Sequence, residues 1–375
     1  MGSDLIGIIP AAGRGTRMGE LGERVPKALL EVQGITLLER AVDTLKTLNV
    51  SRIVIIVNHL AHLISQYVAT HNFDVDIKLI EQGTNRGLAH AIASAADQIH
   101  GDFVVLCPDN LYTEQTDLIR AYQLFTEHRP AFVLLTTVQP TQHADRRSYF
   151  PSSHKAYAPD LFDYSVTTNG TSGFAVNSTG CVFFGKEALA FLPTADDDSR
   201  EHIFRDFLES ITARQTGMIH VMRGMRYDFS TLEDIESYES LMERLTRTTG
   251  KGVSAILMNS NGQVLLQQRD NNPQIRYPAH WALFGGSMED GESAIEAVAR
   301  EVKEEIDYDL QTFGLFREFI QNNKREFAFV GNITANLEDL SLSEGQGMAF
   351  FGPSQLRNLL IRPDDKETLE AYFGN

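Results

Sequence analysis

Short apolar runs alternate with amphipathic stretches along the first part of the chain. Runs rich in Val, Ile and Leu predict buried strands over residues 5–10, 52–57, 77–81, 103–107 and 131–138. Between them, residues 36–48 and 87–99 have apolar positions at helical spacing. Strands and helices that alternate in this way predict an α/β domain with a mostly parallel sheet. Ligands of such sheets bind at the carboxyl ends of the strands.

The pattern changes in the middle of the chain and again near residue 250. Residues 141–177 are rich in Ser, Thr, Pro, Tyr and Asn without a clean period, which predicts an irregular insertion on the substrate side. Ser230-x-x-Glu233 predicts a capping box before a helix that runs to about residue 247. Residues 248–252 have linker composition, and a predicted β-hairpin follows at 254–269. We therefore expect two domains, 1–248 and 249–375.

The charge balance of the 375-residue chain bears on its partners. The formal net charge is −17, of which residues 1–250 carry −9 and residues 251–375 carry −8. Nucleic acids and anionic membranes are bound by basic surfaces, so we expect neither as a partner. Binding of phosphate groups by such an acidic protein would need a local cationic loop or divalent cations.

Cysteine content and hydropathy suggest a compartment. Cys107 and Cys181 lie in apolar runs that predict buried strands, and no Cys/His spacing resembles a zinc site. Such thiols suit a reducing environment. No signal-like N-terminus and no apolar run near the ~18 residues of a membrane span is present. We expect a cytoplasmic protein.

A glycine-rich loop follows the first predicted strand. It reads Gly13-Arg14-Gly15-Thr16-Arg17, and Pro26-Lys27 comes soon after. Small residues let backbone N–H groups approach a phosphate chain. The loop lacks the Gly-Lys-Ser/Thr of a P-loop, and Met18 replaces the third glycine of a dinucleotide fingerprint.

Three elements in this order resemble the nucleotidyltransferase family that makes nucleotide sugars from an NTP and a sugar 1-phosphate. They are Ala-Ala-Gly-x-Gly-Thr-Arg with Pro-Lys at 11–27, a Gln followed by Gly-Leu-Ala at 82–89, and Asp-Asn at 109–110. The resemblance covers residues 5–247 and implies a Rossmann-like mixed, mostly parallel sheet. It implies nucleotide binding by Ala12, Gly13, Gly15, Thr16, Gln82 and Gly87.

The same resemblance implies which residues bind the phosphates and the metal ion. Arg17 and Lys27 would contact the triphosphate and α-phosphate, while Asp109 and Asp228 would hold Mg²⁺, with Mn²⁺ as the other option. The Glu-Lys pair that family members use for the sugar phosphate has no match, because residues 173–184 read GFAVNSTGCVFF. Asn169-Gly170 and the stretch 177–180 are candidate replacements. A cytidylyltransferase acting on a phosphocholine-like acceptor therefore stays open.

A carboxylate-rich helix is predicted in the last third of the chain. Its pattern is Gly286-x5-Glu292-x7-Arg300-Glu301-Val302-x-Glu304-Glu305. On a helix Glu301, Glu304 and Glu305 share one face. Like charges at these spacings cost ~0.2–0.5 kcal/mol per pair, which a divalent cation would offset. On the other face, Ala294, Val298, Val302 and Ile306 form an apolar stripe that predicts inward packing.

This spacing resembles the Nudix box, with Asp307 and Tyr308 in place of the closing Gly and aliphatic residue. The resemblance implies an α/β/α sandwich that hydrolyses a nucleoside diphosphate linked to another group. It also implies that Glu301, Glu304 and Glu305 bind Mg²⁺ or Mn²⁺, that Arg300 orients a carboxylate and that Gly286 offers its carbonyl. Glu344 is a candidate for a further base or metal ligand.

Together these patterns predict a bifunctional enzyme. Its substrates would be an NTP with a phosphomonoester, favouring a sugar 1-phosphate, and a nucleoside diphosphate derivative. Two alternatives stay open: one domain is active while the other is a nucleotide-sensing module, or the acceptor is phosphocholine-like. A homo-oligomer stays open as well.

Overall fold

The structure is a computed structural model. It describes residues 5–374 except 85, 114, 140–147, 150–155, 159–160, 164–174, 194–203, 223, 246–247, 311–312 and 322. The candidate residues Asn169 and Gly170 lie outside the described part of the chain.

The first 245 residues alternate strands and helices. Their elements are β1 (Ile6–Pro10), α1 (Glu20–Arg24), β2 (Glu31–Val32), β3 (Ile35–Thr36), α2 (Leu37–Thr47), β4 (Arg52–Val57), α3 (Ala61–Thr70), β5 (Ile77–Glu81), α4 (Leu88–Ser94), β6 (Phe103–Leu106), β7 (Asn110–Tyr112), α5 (Gln115–His128), β8 (Phe132–Gln139), β9 (Ser148–Tyr149), β10 (Ala156–Ala158), β11 (Leu161–Asp163), β12 (Ala175–Phe184), α6 (Phe204–Thr212), β13 (Gly217–Val221), β14 (Arg226–Asp228) and α7 (Leu232–Leu245). The predicted irregular insertion therefore contains short strands.

Two compact units account for the chain's internal contacts. The first comprises residues 1–135, 178–220 and 226–240, and the second comprises residues 136–177, 221–225 and 241–375. In the first unit β1 runs parallel to both β4 and β6, β4 runs parallel to β5, and β12 joins β6 antiparallel. This confirms a mixed, mostly parallel sheet. Its central strands are almost wholly buried.

Local capping explains where the helices begin. Thr36 accepts a hydrogen bond from the Glu39 N–H, so α2 begins where the apolar period predicts. The cap of α7 differs from its prediction. Thr231 and Asp234 exchange the capping hydrogen bonds, whereas the Ser230 hydroxyl donates to Asp228. The predicted Ser230 capping box is therefore wrong by one residue.

The rest of the chain builds a second sheet. Its elements are β15 (Lys251–Met258), β16 (Val264–Gln268), β17 (Trp281–Ala282), α8 (Ala294–Ile306), β18 (Phe313–Gln321), β19 (Lys324–Asn332), β20 (Gly347–Phe351), α9 (Pro353–Leu356) and α10 (Pro363–Phe373). The strand order is β17-β16-β15-β19-β18, with β20 also paired to β16. The predicted hairpin forms from β15 and β16, and β15 already begins at Lys251, inside the predicted linker.

Helices lie on opposite faces of the second sheet. Val298, Val302 and Ile306 of α8 pack in one apolar cluster with Leu315 of β18. The neighbouring Phe316 meets Tyr372 of α10 edge to face. On β19, Phe329 belongs to the same apolar cluster, whereas Glu326, three residues earlier and so on the opposite face, lines a cavity together with Asp365 of α10. Helices α8 and α10 thus cover the two sides of the sheet, which confirms the α/β/α sandwich.

None of the helices in the described ranges has the length and apolar character needed to cross a lipid bilayer.

Candidate functional site

The glycine loop after β1 lines a cavity of about 420 Å³ in the first unit. Gly15 adopts φ 64° just before a tight turn at residues 16–18, a conformation that favours glycine. The cavity is lined by nine of the predicted residues: Ala12, Gly13, Gly15, Thr16, Arg17, Lys27, Gln82, Gly87 and Asp109. The loops that follow β1, β5 and β6 therefore converge, as expected at the carboxyl ends of parallel strands.

An ion pair lies in the wall of this cavity. The Lys27 ammonium is 2.5 Å from Asp109 Oδ2, and both side chains are partly exposed. The Asn110 amide donates to the other Asp109 oxygen at 2.8 Å. A cation and a carboxylate are thus held side by side next to the glycine loop.

Asp228 is joined to this pair through hydrogen bonds. β14 pairs antiparallel with β7, so that Asp228 lies opposite Asn110. The Arg226 guanidinium donates to Asn110 Oδ1 at 2.8 Å and to Asp228 at 3.3 Å. Of the described residues on β14 and the turn after it, Ser230 lines the cavity. Asp109 and Asp228 both offer carboxylate oxygens, the ligands that Mg²⁺ prefers.

A buried histidine contacts Gln82, and the sequence patterns did not predict a role for it. Gln82 and His90 are almost wholly buried, and Gln82 Nε2 lies 2.9 Å from His90 Nδ1. A Gln and a His eight residues apart form no recognisable motif, so the sequence alone does not predict this contact. The contact with His90 fixes the side-chain amide of Gln82, which lines the cavity.

The two thiols differ in their surroundings. Cys181 is buried on β12 as predicted, whereas Cys107 follows the end of β6, is partly exposed and lines the cavity. Burial raises the pKa of the Cys181 thiol well above the ordinary range. The prediction of a strand-buried Cys107 is wrong because β6 ends at Leu106.

The carboxylate helix α8 is firmly bounded at both ends. Ser293 and Glu296 form a reciprocal capping box at its start. It ends at Asp307, whose φ of 50° is the left-handed conformation that terminates a helix, so Asp can replace Gly there. Val298, Val302 and Ile306 are fully buried and Ala294 packs against them, which confirms the predicted stripe.

Arg300 links the carboxylates of the box. Its guanidinium donates to both oxygens of Glu292, at 2.9 and 3.1 Å, to Glu301 at 3.0 Å and to Glu304 at 3.1 Å. It also donates to the Ser287 carbonyl at 3.2 Å. Glu301 is mostly buried and Glu304 is largely exposed. Among the described residues, no three His, Cys, Asp or Glu side chains are arranged as a metal-ligand set.

Glu305 lies deeper than the other carboxylates of the box. It accepts hydrogen bonds from the Gln267 amide at 2.8 Å and the Gly285 N–H at 2.9 Å. Burial raises its pKa to about 7, although these two hydrogen bonds favour the charged form. Gln267 was not predicted as a site residue, because a single Gln on a strand carries no sequence signal.

This pKa predicts how the stability of the metal-free protein depends on pH. The Glu305 pKa is higher in the folded chain than in the unfolded one, so the folded state disfavours the charged form. In EDTA, the wild type should lose stability relative to Glu305→Gln as pH rises from about 4.5 to 7, and the difference should level off above that range. Thermal unfolding of both proteins across this range checks it. Parallel curves would contradict the assignment.

Gly286 is packed against the box. A Cβ at this position would overlap the Glu301 carboxylate. Its carbonyl accepts a hydrogen bond from the Val253 N–H at 2.9 Å, which leaves a second lone pair for another partner. A side chain at this position would therefore have to displace the Glu301 carboxylate, whereas the backbone angle would not oppose it.

We predict that Gly286→Ala displaces Glu301. The displaced atoms are the end of a flexible side chain, so the unfolding free energy should change little. Hydrolysis by the second unit should fall by about tenfold or more, because small displacements of catalytic groups are costly. Gly347→Ala is the matched control, since a Cβ at Gly347 meets no atom within 4 Å and the backbone there is not left-handed. Equal activity of wild type and Gly286→Ala would show that this packing is unimportant.

Glu344 is an exposed residue of the loop before β20. The preceding Ser343 donates to the Glu304 and Glu305 carbonyls at 2.7 and 2.8 Å, which attaches the loop to the end of α8. The Glu344 charge also contributes to raising the Glu305 pKa. The structure thus brings Glu344 to the same end of the helix as Glu304 and Glu305. Oxygen donors of this kind fit Mg²⁺ or Mn²⁺ once Arg300 releases them.

Two models of known families match the chain. Residues 7–208 match the model of the MobA-like NTP transferase domain, and residues 248–372 match that of the NUDIX domain.

Sequence relatives are sugar-phosphate nucleotidyltransferases among others. A UTP–glucose-1-phosphate uridylyltransferase of Haloferax volcanii is 33% identical over 105 residues, which cover 28% of this chain and 43% of that protein. A bifunctional IPC transferase and DIPP synthase of Aquifex aeolicus is 32% identical over 106 residues, covering 28% of this chain and 24% of that protein. The chain thus spans less than half the length of these relatives.

Solved structures show the same fold. A UDP-glucose pyrophosphorylase in complex with UDP-glucose aligns with a TM-score of 0.55 at 15% identity, over 64% of this chain and 98% of that one. The inositol-1-phosphate CTP transferase from T. maritima aligns with a TM-score of 0.51 at 15% identity, over 65% of this chain and 97% of that one. At these identities the likeness concerns the fold alone.

Proposed function

Because the chain belongs to the MobA-like NTP transferase family through residues 7–208, we propose that its first unit transfers a nucleotidyl group from an NTP to a phosphomonoester and releases pyrophosphate. One observation carries this proposal: the glycine loop, Gln82 and the Lys27–Asp109 pair line one cavity. The favoured acceptor is a sugar 1-phosphate, which the Haloferax volcanii relative's name supports. The phosphocholine-like acceptor remains the second candidate.

The chemistry requires negative groups to be brought together. An acceptor phosphate oxygen attacks the α-phosphorus of the NTP, the bond to the bridging oxygen breaks, and pyrophosphate leaves. Arg17 and Lys27 would neutralise the phosphates, while backbone N–H groups of residues 12–16 orient the chain. Gln82, held by His90, would bind the base. Asp109 and Asp228 would hold Mg²⁺ or Mn²⁺, which supplies further charge neutralisation when bound.

We propose that the second unit hydrolyses a nucleoside diphosphate derivative. Glu301, Glu304 and Glu305 would hold Mg²⁺ or Mn²⁺, which polarises phosphoryl oxygens when bound. The Gly286 carbonyl is a further candidate ligand, and Arg300 would keep the carboxylates oriented. Glu344 would accept a proton from the attacking water, because it lies at the same end of α8. We further propose that the boundary between the two domains lies near residue 249. We also propose that the protein is cytoplasmic and binds neither nucleic acids nor membranes.

A mass-spectrometric screen tests both activities. Each of the four common NTPs is paired with sugar 1-phosphates, inositol phosphate and phosphocholine, and nucleoside diphosphate sugars are supplied alone with Mg²⁺ or Mn²⁺. We expect pyrophosphate with one NTP and one acceptor class, and hydrolysis of at least one diphosphate compound. If no pair releases pyrophosphate, the transferase assignment is wrong. If no diphosphate is cleaved, the second unit is better explained as a nucleotide-sensing module.

A further inference from the structure

A second cavity of about 220 Å³ lies within the second unit, beside the loop that leads into the carboxylate helix. Three cations and three carboxylates line it, together with hydroxyl and amide groups: Arg276, Lys324, Arg362, Glu326, Asp364, Asp365, Ser254, Ser287, Thr368 and Gln321. The formal charge of these ionisable groups is balanced. The cavity is therefore rich in hydrogen-bonding groups without a strong field of either sign.

Glu326 and Lys324 lie on one edge of this cavity with unused hydrogen-bonding capacity. Among the residues that the structure describes, none donates a hydrogen bond to the Glu326 carboxylate, and no acceptor contacts the Lys324 ammonium. Gly252 lies opposite Glu326 in the β15–β19 ladder, and any Cβ there would overlap the Glu326 carboxylate. The glycine thus leaves room for this carboxylate on the sheet surface.

Another part of the lining is held in place by hydrogen bonds. Asp365 is almost wholly buried and accepts hydrogen bonds from the Leu283 N–H at 3.1 Å and from Arg362 at 2.7 Å. The Arg362 Nε is buried, with no acceptor among the described residues. This part of the lining therefore presents a fixed ion pair to a bound ligand.

The lining selects one chemical class of occupant. A phosphate would need a net positive lining, and here cations and carboxylates balance. A nucleobase would need an aromatic platform, but one face of Phe319 is covered by the Arg317 guanidinium, 4.1 Å from the ring centre. A neutral group with many hydroxyls can pair with carboxylates and cations together. The volume is below the 300–1,000 Å³ typical of whole-ligand pockets and suits a single ring.

The cavity is continuous with the carboxylate site through three residues. Gly285 donates to Glu305, Gly286 contacts Glu301, and Ser287 accepts from Arg300, and all three also line the cavity. We propose that this cavity binds the sugar ring of a nucleoside diphosphate sugar, with Glu326 and Lys324 as specificity-determining residues. The inference rests on the proposed hydrolytic function and names its substrate class.

Steady-state hydrolysis by the full chain tests this assignment. The probes are nucleoside diphosphate hexoses of the four common bases and, for each base, the nucleoside diphosphate methyl ester, which lacks the hydroxyls. Wild type is compared with Glu326→Gln and Lys324→Met. Glu338→Gln is the control, because Glu338 is exposed and lies outside the cavity lining. Thermal unfolding is measured for every protein.

We expect wild type to favour the hexose compounds. Loss of one hydrogen bond to a charged group should raise KM for the hexose compound about tenfold in each cavity variant. KM for the methyl ester should change less than twofold, and Glu338→Gln should match wild type. Lys324 is exposed, so Lys324→Met decides the matter if Glu326→Gln fails to fold.

Two results overturn the assignment in different ways. If wild type hydrolyses the methyl esters with the same KM as the hexose compounds, or if the variants change both KM values equally, the hydrolase stands and the sugar pocket is refuted. Cleavage of neither series by wild type refutes the hydrolase and the sugar assignment with it.

Discussion

Replacing Asp109 by Asn should lower the rate of pyrophosphate release about 100- to 1,000-fold, by analogy with the loss of one oxyanion-hole donor in other enzymes. Asn keeps the shape of the side chain but loses the negative charge beside Lys27, 2.5 Å away. Metal affinity should fall as well, because an amide oxygen is a weaker ligand than a carboxylate. Pyrophosphate is measured at saturating NTP and over a range of Mg²⁺ concentrations.

The control for this variant is Asp97→Asn, since Asp97 is an exposed residue outside the cavity lining. It should release pyrophosphate at the wild-type rate. Full activity of Asp109→Asn at every Mg²⁺ concentration would show that the Lys27–Asp109 pair is structural.

Replacing Glu304 by Gln should lower hydrolysis of nucleoside diphosphate compounds by a similar 100-fold or more. The side chain is 60% exposed and contacts Arg300 at 3.1 Å, so an exposed ion pair is lost and stability should change by less than about 1 kcal/mol. A loss of rate without loss of stability distinguishes a ligand from a structural residue. Hydrolysis and thermal unfolding are measured on the same preparation.

The control is again Glu338→Gln, which removes one carboxylate from the surface of the same unit. If Glu304→Gln hydrolyses its substrate as fast as this control, the carboxylate face of α8 is a solvated surface and the second unit acts as a sensor.

Much of the fold follows from local patterns. β1, β4, β5 and β6 lie where apolar runs predict them, because strands buried on both faces need continuous apolar sequence. α8 follows from its period and its cap. The ends of the elements were less predictable, because two neighbouring hydroxyl residues can each cap a helix. In α7 the cap is Thr231 and not Ser230.

The candidate sites were predictable where a motif has fixed spacing. The glutamates of α8 are an example, because the helix period brings residues three and four apart to one face. Contacts between residues that have no motif spacing could not be predicted, as Gln82–His90 and Gln267–Glu305 show. The raised pKa of Glu305 arises chiefly from burial, which sequence spacing does not encode.

The central claim is that one chain carries two separate active sites. The most direct test measures pyrophosphate release and diphosphate hydrolysis on Asp109→Asn, on Glu304→Gln and on an equal mixture of the two. We predict that Asp109→Asn loses only pyrophosphate release, that Glu304→Gln loses only hydrolysis, and that the mixture shows both activities at half the wild-type specific rate. Loss of both activities in either single variant would contradict the claim.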